Sequence, residues 1–509
     1  MRKVGKQRIA ACLPMLLTVV SCTLLLPERF AVNAPVASML FGRTIDAPSA
    51  DQITSRFELP PGFGLSLFAN GLGNVRWLHP TRTGDLIASR PRSGEVILIA
   101  GDQDGDGRSD GTFPLLSDLN RPQGLELYDG WLYVAETDAI GRVRFDNESR
   151  STIGDFERIV TGIPGGGNHW GRTIGVGPDG YLYLSIGSSC NACSEDGERR
   201  AAMYRYKTDG TGAELVAHGL RNSVGFDWQP GTNDLYATDN GRDLLGDNFP
   251  PCELNRIEMG GFYGWPFANG DRVPDPDHGA GQESVIRASI PPAHNFRAHN
   301  APLGISFIRG NRVPAALRGA ALVALHGSWN RTQKDGYRVV SLRWLPDGTI
   351  QEENFLSGFE VGGNVIGRPV HVVEGRDGAF YISDDYAGVV WRVAYGEQAA
   401  TDLSSINRVP EADRVDPLAS IPDALRIERV GQGADLYAAH RCATCHDPTQ
   451  AKPGISVKRL DQLTGRYTLT TLAALFATPP SPMPIYPLTE DEKHALAVYL
   501  LSPTAESDR

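Results

Sequence analysis

Turns and short apolar strands alternate along most of the chain in one repeated design. Between residues 51 and 396, a Gly or Pro turn opens into an alternating apolar strand that ends on a small or acidic residue. A second short strand follows. Six copies align, at 84–89, 130–135, 180–185, 233–238, 319–324 and 378–383, with companion strands at 95–99, 141–145, 203–206, 253–258, 338–344 and 389–393. Strand pairs of this kind cannot bury their faces alone, whereas radial stacking with one blade per copy covers the faces and protects the edges. The pattern predicts a mainly β chain whose residues 51–396 form a six-bladed β-propeller.

The design breaks at both ends. Arg2, Lys3, Lys6 and Arg8 precede an apolar run over residues 9–26, the layout of an export signal or membrane anchor spanning 1–34. Val19-Val20-Ser21-Cys22 is similar to the lipobox of bacterial lipoproteins, in which Cys22 would carry lipid; ordinary cleavage near Ala34 is the alternative, with Pro35 a poor fit behind it. The expected location is periplasmic, with a membrane tether through the N-terminus as one outcome. Residues 397–424, rich in Ala, Ser, Asp and Pro, read as a linker. Residues 425–505 read as a small all-α domain with helical stretches at 433–446 and 490–501.

Charge and cysteine usage narrow the function classes. Forty-nine Lys and Arg against 60 Asp and Glu give a net charge of −11 with no basic stripe to neutralise phosphates, so nucleic acid is not an expected partner. Cys190 and Cys193 are expected to close a small loop disulfide in an oxidising compartment, a redox-active pair being the alternative. Cys252 is left as a buried thiol or as a partner in another pairing with one of them. Asp102, Asp104, Asp106, Gly107 and Asp110 have the early spacing of a calcium loop, but Phe113 stands where the bidentate Glu is needed, so calcium and a solvated turn both stay open.

Cys442-Ala443-Thr444-Cys445-His446 is the attachment sequence of c-type haem, with Cys442 and Cys445 as thioethers and His446 as an axial iron ligand. Met483, between Pro482 and Pro484, is the expected second axial ligand, in a setting that resembles the axial-Met loop of class I cytochromes c. His/Met ligation raises the reduction potential and suits an electron relay.

Five motifs within the repeats carry a further likeness. Gly167-Asn168-His169-Trp170-Gly171-Arg172, His218-Gly219-Leu220-Arg221-Asn222, Asp239-Asn240-Gly241-Arg242-Asp243, Glu253-Leu254-Asn255-Arg256-Ile257 with Gly264-Trp265-Pro266, and His326-Gly327-Ser328-Trp329-Asn330-Arg331 together resemble the pyrroloquinoline-quinone sugar dehydrogenases. The likeness spans about residues 55–395 and is nearer the sorbosone and pyranose branch than the soluble glucose enzyme. It implies oxidation of a sugar, or a related alcohol or aldehyde, by hydride transfer to pyrroloquinoline quinone. Electrons would pass to the fused haem c and on to a downstream cytochrome or terminal oxidase. It further implies His169 as general base, Arg90, Gln123, Arg221, Asn222, His326 and Arg368 as quinone contacts, and main-chain oxygens of Gly241 and Arg242 as calcium ligands. Guanidinium and amide donors suit a cofactor with three carboxylates. His326 stands where the soluble glucose enzyme has a Lys, and Ile366 where it has a second Arg, so recognition is expected to be rearranged and the substrate need not be glucose. Two other classes compete: a calcium-dependent hydrolytic propeller of the lactonase type, and a non-catalytic propeller that docks a cytochrome.

Overall fold

The structure, a computed structural model, describes residues 31–33, 44–195, 197, 199–396, 418, 421–447, 450, 460, 463, 469–476, 479, 483–484 and 486–502. The export signal and lipobox expected over 1–34 lie outside these residues except for 31–33, as does the expected linker up to residue 417. The chain divides into two compact units, Met1–Ser404 and Ser405–Arg509.

In the first unit six antiparallel sheets, each four strands deep from the axis outward, make the six blades of a propeller. Blade 1 runs Leu78–Pro80, Leu86–Arg90, Glu95–Ile99, Thr112–Leu116, and blade 2 Leu125–Tyr128, Trp131–Ala135, Ala139–Asp146, Ser151–Thr161. Blade 3 runs Arg172–Val176, Leu182–Ile186, Ala202–Tyr206, Glu214–His218, where a short fifth strand, Gly261–Phe262, adds in parallel. Blade 4 runs Ser223–Trp228, Leu235–Asp239, Cys252–Ile257, His294–Phe296, and blade 5 Pro302–Phe307, Ala321–Leu325, Arg338–Trp344, Ile350–Leu356. Blade 6 takes Pro369–Glu374, Phe380–Asp384 and Val389–Tyr395 from the end of the unit and its outermost strand, Phe63–Ala69, from the beginning. Each sequence copy falls on a turn and the second strand of a blade, and each companion falls on the third.

Apolar side chains of neighbouring blades interleave: Leu78, Leu86 and Ile97 of blade 1 pack with Val373, Tyr381 and Val390 of blade 6. The innermost strands touch in order around the axis. Glycine makes that approach possible, since a Cβ on Gly225 of blade 4 would overlap the Leu303 carbonyl oxygen of blade 5 and one on Gly304 would lie 2.8 Å from His371 Cα of blade 6.

In the second unit the helix Asp423–Ala439 crosses the helix Glu490–Leu501 so closely that a Cβ on Gly433 would overlap the Ala495 carbonyl oxygen. The helix expected over 433–446 is two pieces. It stops at Ala439, Arg441 takes the left-handed conformation at φ +53°, and Ala443–His446 forms a separate short turn of helix. Thr489 caps the last helix with a reciprocal bond to Glu492, fixing its start where the sequence places it.

Candidate active site

Two positions in each blade face one mouth of the propeller: the residues just before the innermost strand and those just after its antiparallel second strand. Their register pairs Arg172 with Ile186, Ser223 with Asp239, and Pro302 with Leu325. His169, Asn222 and Arg368 occupy the first position, and Ser188, Asn240, His326 and Asp385 the second.

His169 has its Nδ1 2.9 Å from the Ser188 carbonyl oxygen and 3.0 Å from Ser188 Oγ. A carbonyl only accepts, so Nδ1 carries the proton and Nε2 keeps a lone pair. Nε2 has no protein partner among the described residues. Burial, with the Arg221 guanidinium beside it, pushes the imidazole down to about 3. Ser188 Oγ donates to the Cys190 carbonyl at 2.7 Å, and the Cys190–Cys193 disulfide closes that loop. Below the loop, buried Arg172 donates to the carbonyls of His169, Gly171 and Pro164 at 2.7, 2.9 and 2.6 Å. Glycine at 187 lets Asn222 and His169 meet: a Cβ there would lie 2.5 Å from Asn222 Oδ1 and 2.6 Å from His169 Cβ.

Arg221, expected to grip a carboxylate, is already held by protein acceptors. Its guanidinium donates to the Asn191 carbonyl and Oδ1, both at 2.8 Å, to the Asn240 carbonyl at 3.0 Å and to Asp243 at 3.2 Å. It therefore ties two loops together and adds positive potential at His169. Arg368 donates to the His326 carbonyl at 3.1 Å and the Gly327 carbonyl at 3.2 Å. His326 Nε2 lies 2.9 Å from Asp385 Oδ1, and the second Asp385 oxygen accepts from Arg76. Burial and Arg368 push His326 down to about 4. Burial alone would raise Asp385, but His326 and Arg76 hold it well below the carboxylate range. Arg76 and Arg121 in turn lie 5.7 and 4.0 Å from the ring centre of Trp170, so one chain of contacts joins the His169 loop to His326 and Arg368.

Asp239, buried, and Glu253, half-buried, face each other across blade 4, with Gly241 and Arg242 in the loop between their strands. Burial pushes both carboxyls up, further at Asp239 because of the Glu253 charge. Two carboxyl groups beside the expected main-chain ligands, anionic once calcium displaces their protons, are a donor set that fits calcium. The Arg242 side chain points elsewhere, into a bidentate pair with buried Asp275 at 2.7 and 2.8 Å. Gln123 is 2% exposed and packed under Gly171, its amide donating to Thr173 Oγ1 at 3.3 Å. Arg90 pairs with Glu95 of its own blade at 3.3 Å. The Asp102, Asp104 and Asp110 carboxylates cluster, and Asp102 accepts from the Gly105 and Gly107 N–H groups of its own loop.

Arg76, Arg121, Asp385 and Asn300 are site residues that the sequence reading left out. Both ends of the buried Asn300 amide, two residues before the innermost strand of blade 5, lack a protein partner among the described residues. Such guanidinium, imidazole and amide donors around one mouth fit a small polyanion with carbonyl oxygens. A cavity of about 1080 Å³ opens at the opposite mouth, among Trp228, Phe307 and Glu374, and holds none of the expected site residues.

In the second unit Cys442 and Cys445 are free thiols, and Cys442 and Met483 pack half-buried against the same apolar cluster of Tyr437, Leu472 and Leu496.

A profile of the family described as glucose / sorbosone dehydrogenase matches residues 131–392, just over half of the chain. An uncharacterized protein of Borreliella burgdorferi is 30% identical over 364 residues, covering 68% of this chain and 93% of its own. Two solved structures share the fold. The holo form of the pyranose dehydrogenase PQQ domain from Coprinopsis cinerea has a TM-score of 0.58 at 20% identity, over 68% of this chain and 98% of that one. The calcium structure of a Trichoderma reesei carbohydrate-active enzyme has a TM-score of 0.59 at 19% identity, over 69% and 99%.

Proposed function

Because this chain belongs to the glucose/sorbosone dehydrogenase family, we propose that its propeller oxidises a sugar, or a related alcohol or aldehyde, with pyrroloquinoline quinone and calcium at the mouth that holds His169. The observation that carries the reading is the His169 tautomer, a neutral imidazole with Nδ1 bound to a carbonyl and Nε2 unengaged. The quinone, when bound, supplies a two-electron acceptor for the hydride of the substrate. His169 takes the hydroxyl proton at Nε2, and the Asn222 amide beside it orients the same substrate carbon. Arg76, Arg368 and Asn300 supply donors for the cofactor's acid groups, and Asp239 and Glu253 join the Gly241 and Arg242 main chain as calcium ligands.

In the second unit we propose that Cys442 and Cys445 would hold haem c, with His446 and Met483 as the residues that would ligate its iron. The free thiols and the shared packing of Cys442 and Met483 support this. A haem held there would supply a one-electron relay toward a downstream cytochrome or oxidase, and the reading places the chain in the periplasm, tethered through its N-terminus. The basic-then-apolar order of residues 2–26 supports that location.

The test loads the full chain with the quinone and calcium and follows sugar-driven dye reduction. Wild type is expected to reduce the dye, and His169→Ala to lower the rate roughly 10²- to 10⁴-fold while retaining the quinone. Lactone hydrolysis without dye reduction would overturn the reading.

A further inference from the structure

One charged surface at the mouth is left without a counter-ion. Arg121 stacks on Trp170 at 4.0 Å, and Trp170 follows His169 directly in the chain. Arg76 approaches the same ring at 5.7 Å but spends its charge on Asp385. Arg92 lies in the turn after the second strand of blade 1, close enough to repel Arg121, and partial desolvation of the otherwise exposed Arg121, with the charges of Arg76 and Arg92, lowers its affinity for its proton. Neither Arg92 nor Arg121 has an acidic partner among the described ion pairs. In a chain of net charge −11, two exposed guanidiniums left unpaired beside a third are an arrangement that an anion would relieve. The backbone points the same way: Arg121 holds the left-handed conformation at φ +51° immediately before Pro122, where a residue is most restricted.

We propose that Arg121, stacked on Trp170, and Arg92 near it form a carboxylate-recognition subsite for the sugar substrate, so that the preferred substrates are acidic sugars such as uronates. The inference rests on the dehydrogenase reading only for the word substrate. Arg92 follows a second strand and Arg121 precedes an innermost strand, the same rim positions that Ser188 and His169 hold in blade 3, so the subsite opens on the mouth that holds the proposed base. A guanidinium face stacked on an aromatic ring, as that of Arg121 is on Trp170, keeps its N–H edges free for a carboxylate.

The experiment measures binding, by calorimetry on the full chain, of glucuronate and of glucose, at low and at high salt. Glucuronate is expected to bind roughly 10- to 100-fold more tightly, the range of a hydrogen bond to a charged group, with the advantage shrinking as salt rises. Arg92→Ala and Arg121→Lys should each narrow that advantage. Equal affinity of wild type for the two sugars overturns the proposal without any variant having to fold. A double change that weakens quinone binding instead of glucuronate binding also overturns it, because the carboxylates recognised there would then be the cofactor's. Dye reduction with neither sugar, alongside preserved glucuronate preference, would sink the dehydrogenase reading and leave the subsite standing.

Discussion

The bond between His169 Nδ1 and the Ser188 carbonyl fixes which ring nitrogen can act, and the surrounding burial fixes when. An imidazole pushed down to about 3 stays neutral across the range in which a solvated one would protonate. The acid limb of the sugar-driven reduction rate is therefore expected below roughly pH 4, and a fall centred near the ordinary imidazole value of about 6.5 would show that His169 is solvated. The Asp239 and Glu253 pair works in the opposite direction. Their folded values are raised, to about 8 and about 7, so the native state holds protons that the unfolded chain releases, and metal-free stability falls as pH rises through neutrality. Calcium must displace those protons. Its addition is expected to raise the melting temperature more at roughly pH 9 than at roughly pH 6, and Glu253→Gln to remove most of the difference. An equal calcium shift at both pH values would place the ion elsewhere. At this scale the sequence motifs brought out His169 and Asn222, which do meet. They could not disclose that Arg221 is consumed by Asn191, Asn240 and Asp243, because acceptors that lie 19 to 30 residues away leave no local mark.

Among the elements, the second and third strands of each blade are written plainly in the sequence, because both faces of a strand such as Leu182–Ile186 are buried between blades and a turn precedes it. The innermost strands are not. They include Gly225 and Gly304, which interrupt any apolar alternation because the backbone of the next blade packs against them. The outermost strands fail for another reason, clearest in Ser151–Thr161: it is largely solvated and carries few apolar residues to count. Gly225→Ala tests the first explanation. Its Cβ would overlap the Leu303 carbonyl oxygen of the next blade, so a loss on the order of 1–3 kcal/mol or more is expected in urea unfolding. Gly166→Ala, with open space around the added methyl, is the comparison expected to stay near zero. Equal effects of the two would mean that the axis relaxes.

For the whole molecule, the two units make separable demands. The site residues at the mouth all lie between Arg76 and Asp385, within the first unit, and the haem ligands proposed here all lie within the second. Ending the chain at residue 404 is expected to spare sugar-driven dye reduction and to abolish haem reduction by sugar; loss of dye reduction as well would mean that the propeller depends on the second unit. That the first unit begins its last blade with its own N-terminal strand was not legible, since Phe63–Ala69 looks locally like any other strand and its partner Val389–Tyr395 is named only by ring closure. This closure sets an order in time. The Phe63–Ala69 strand is among the first to leave the ribosome, yet the edge it must pair with is made more than 300 residues later. At roughly 5–20 residues per second that is an interval of tens of seconds. Throughout it the blades can stack one upon the next, but the ring stays an open arc with a bare edge at either end. The nascent chain therefore carries two pairing surfaces that the finished protein conceals, and its risk of joining a neighbouring copy is highest just before the last blade is complete.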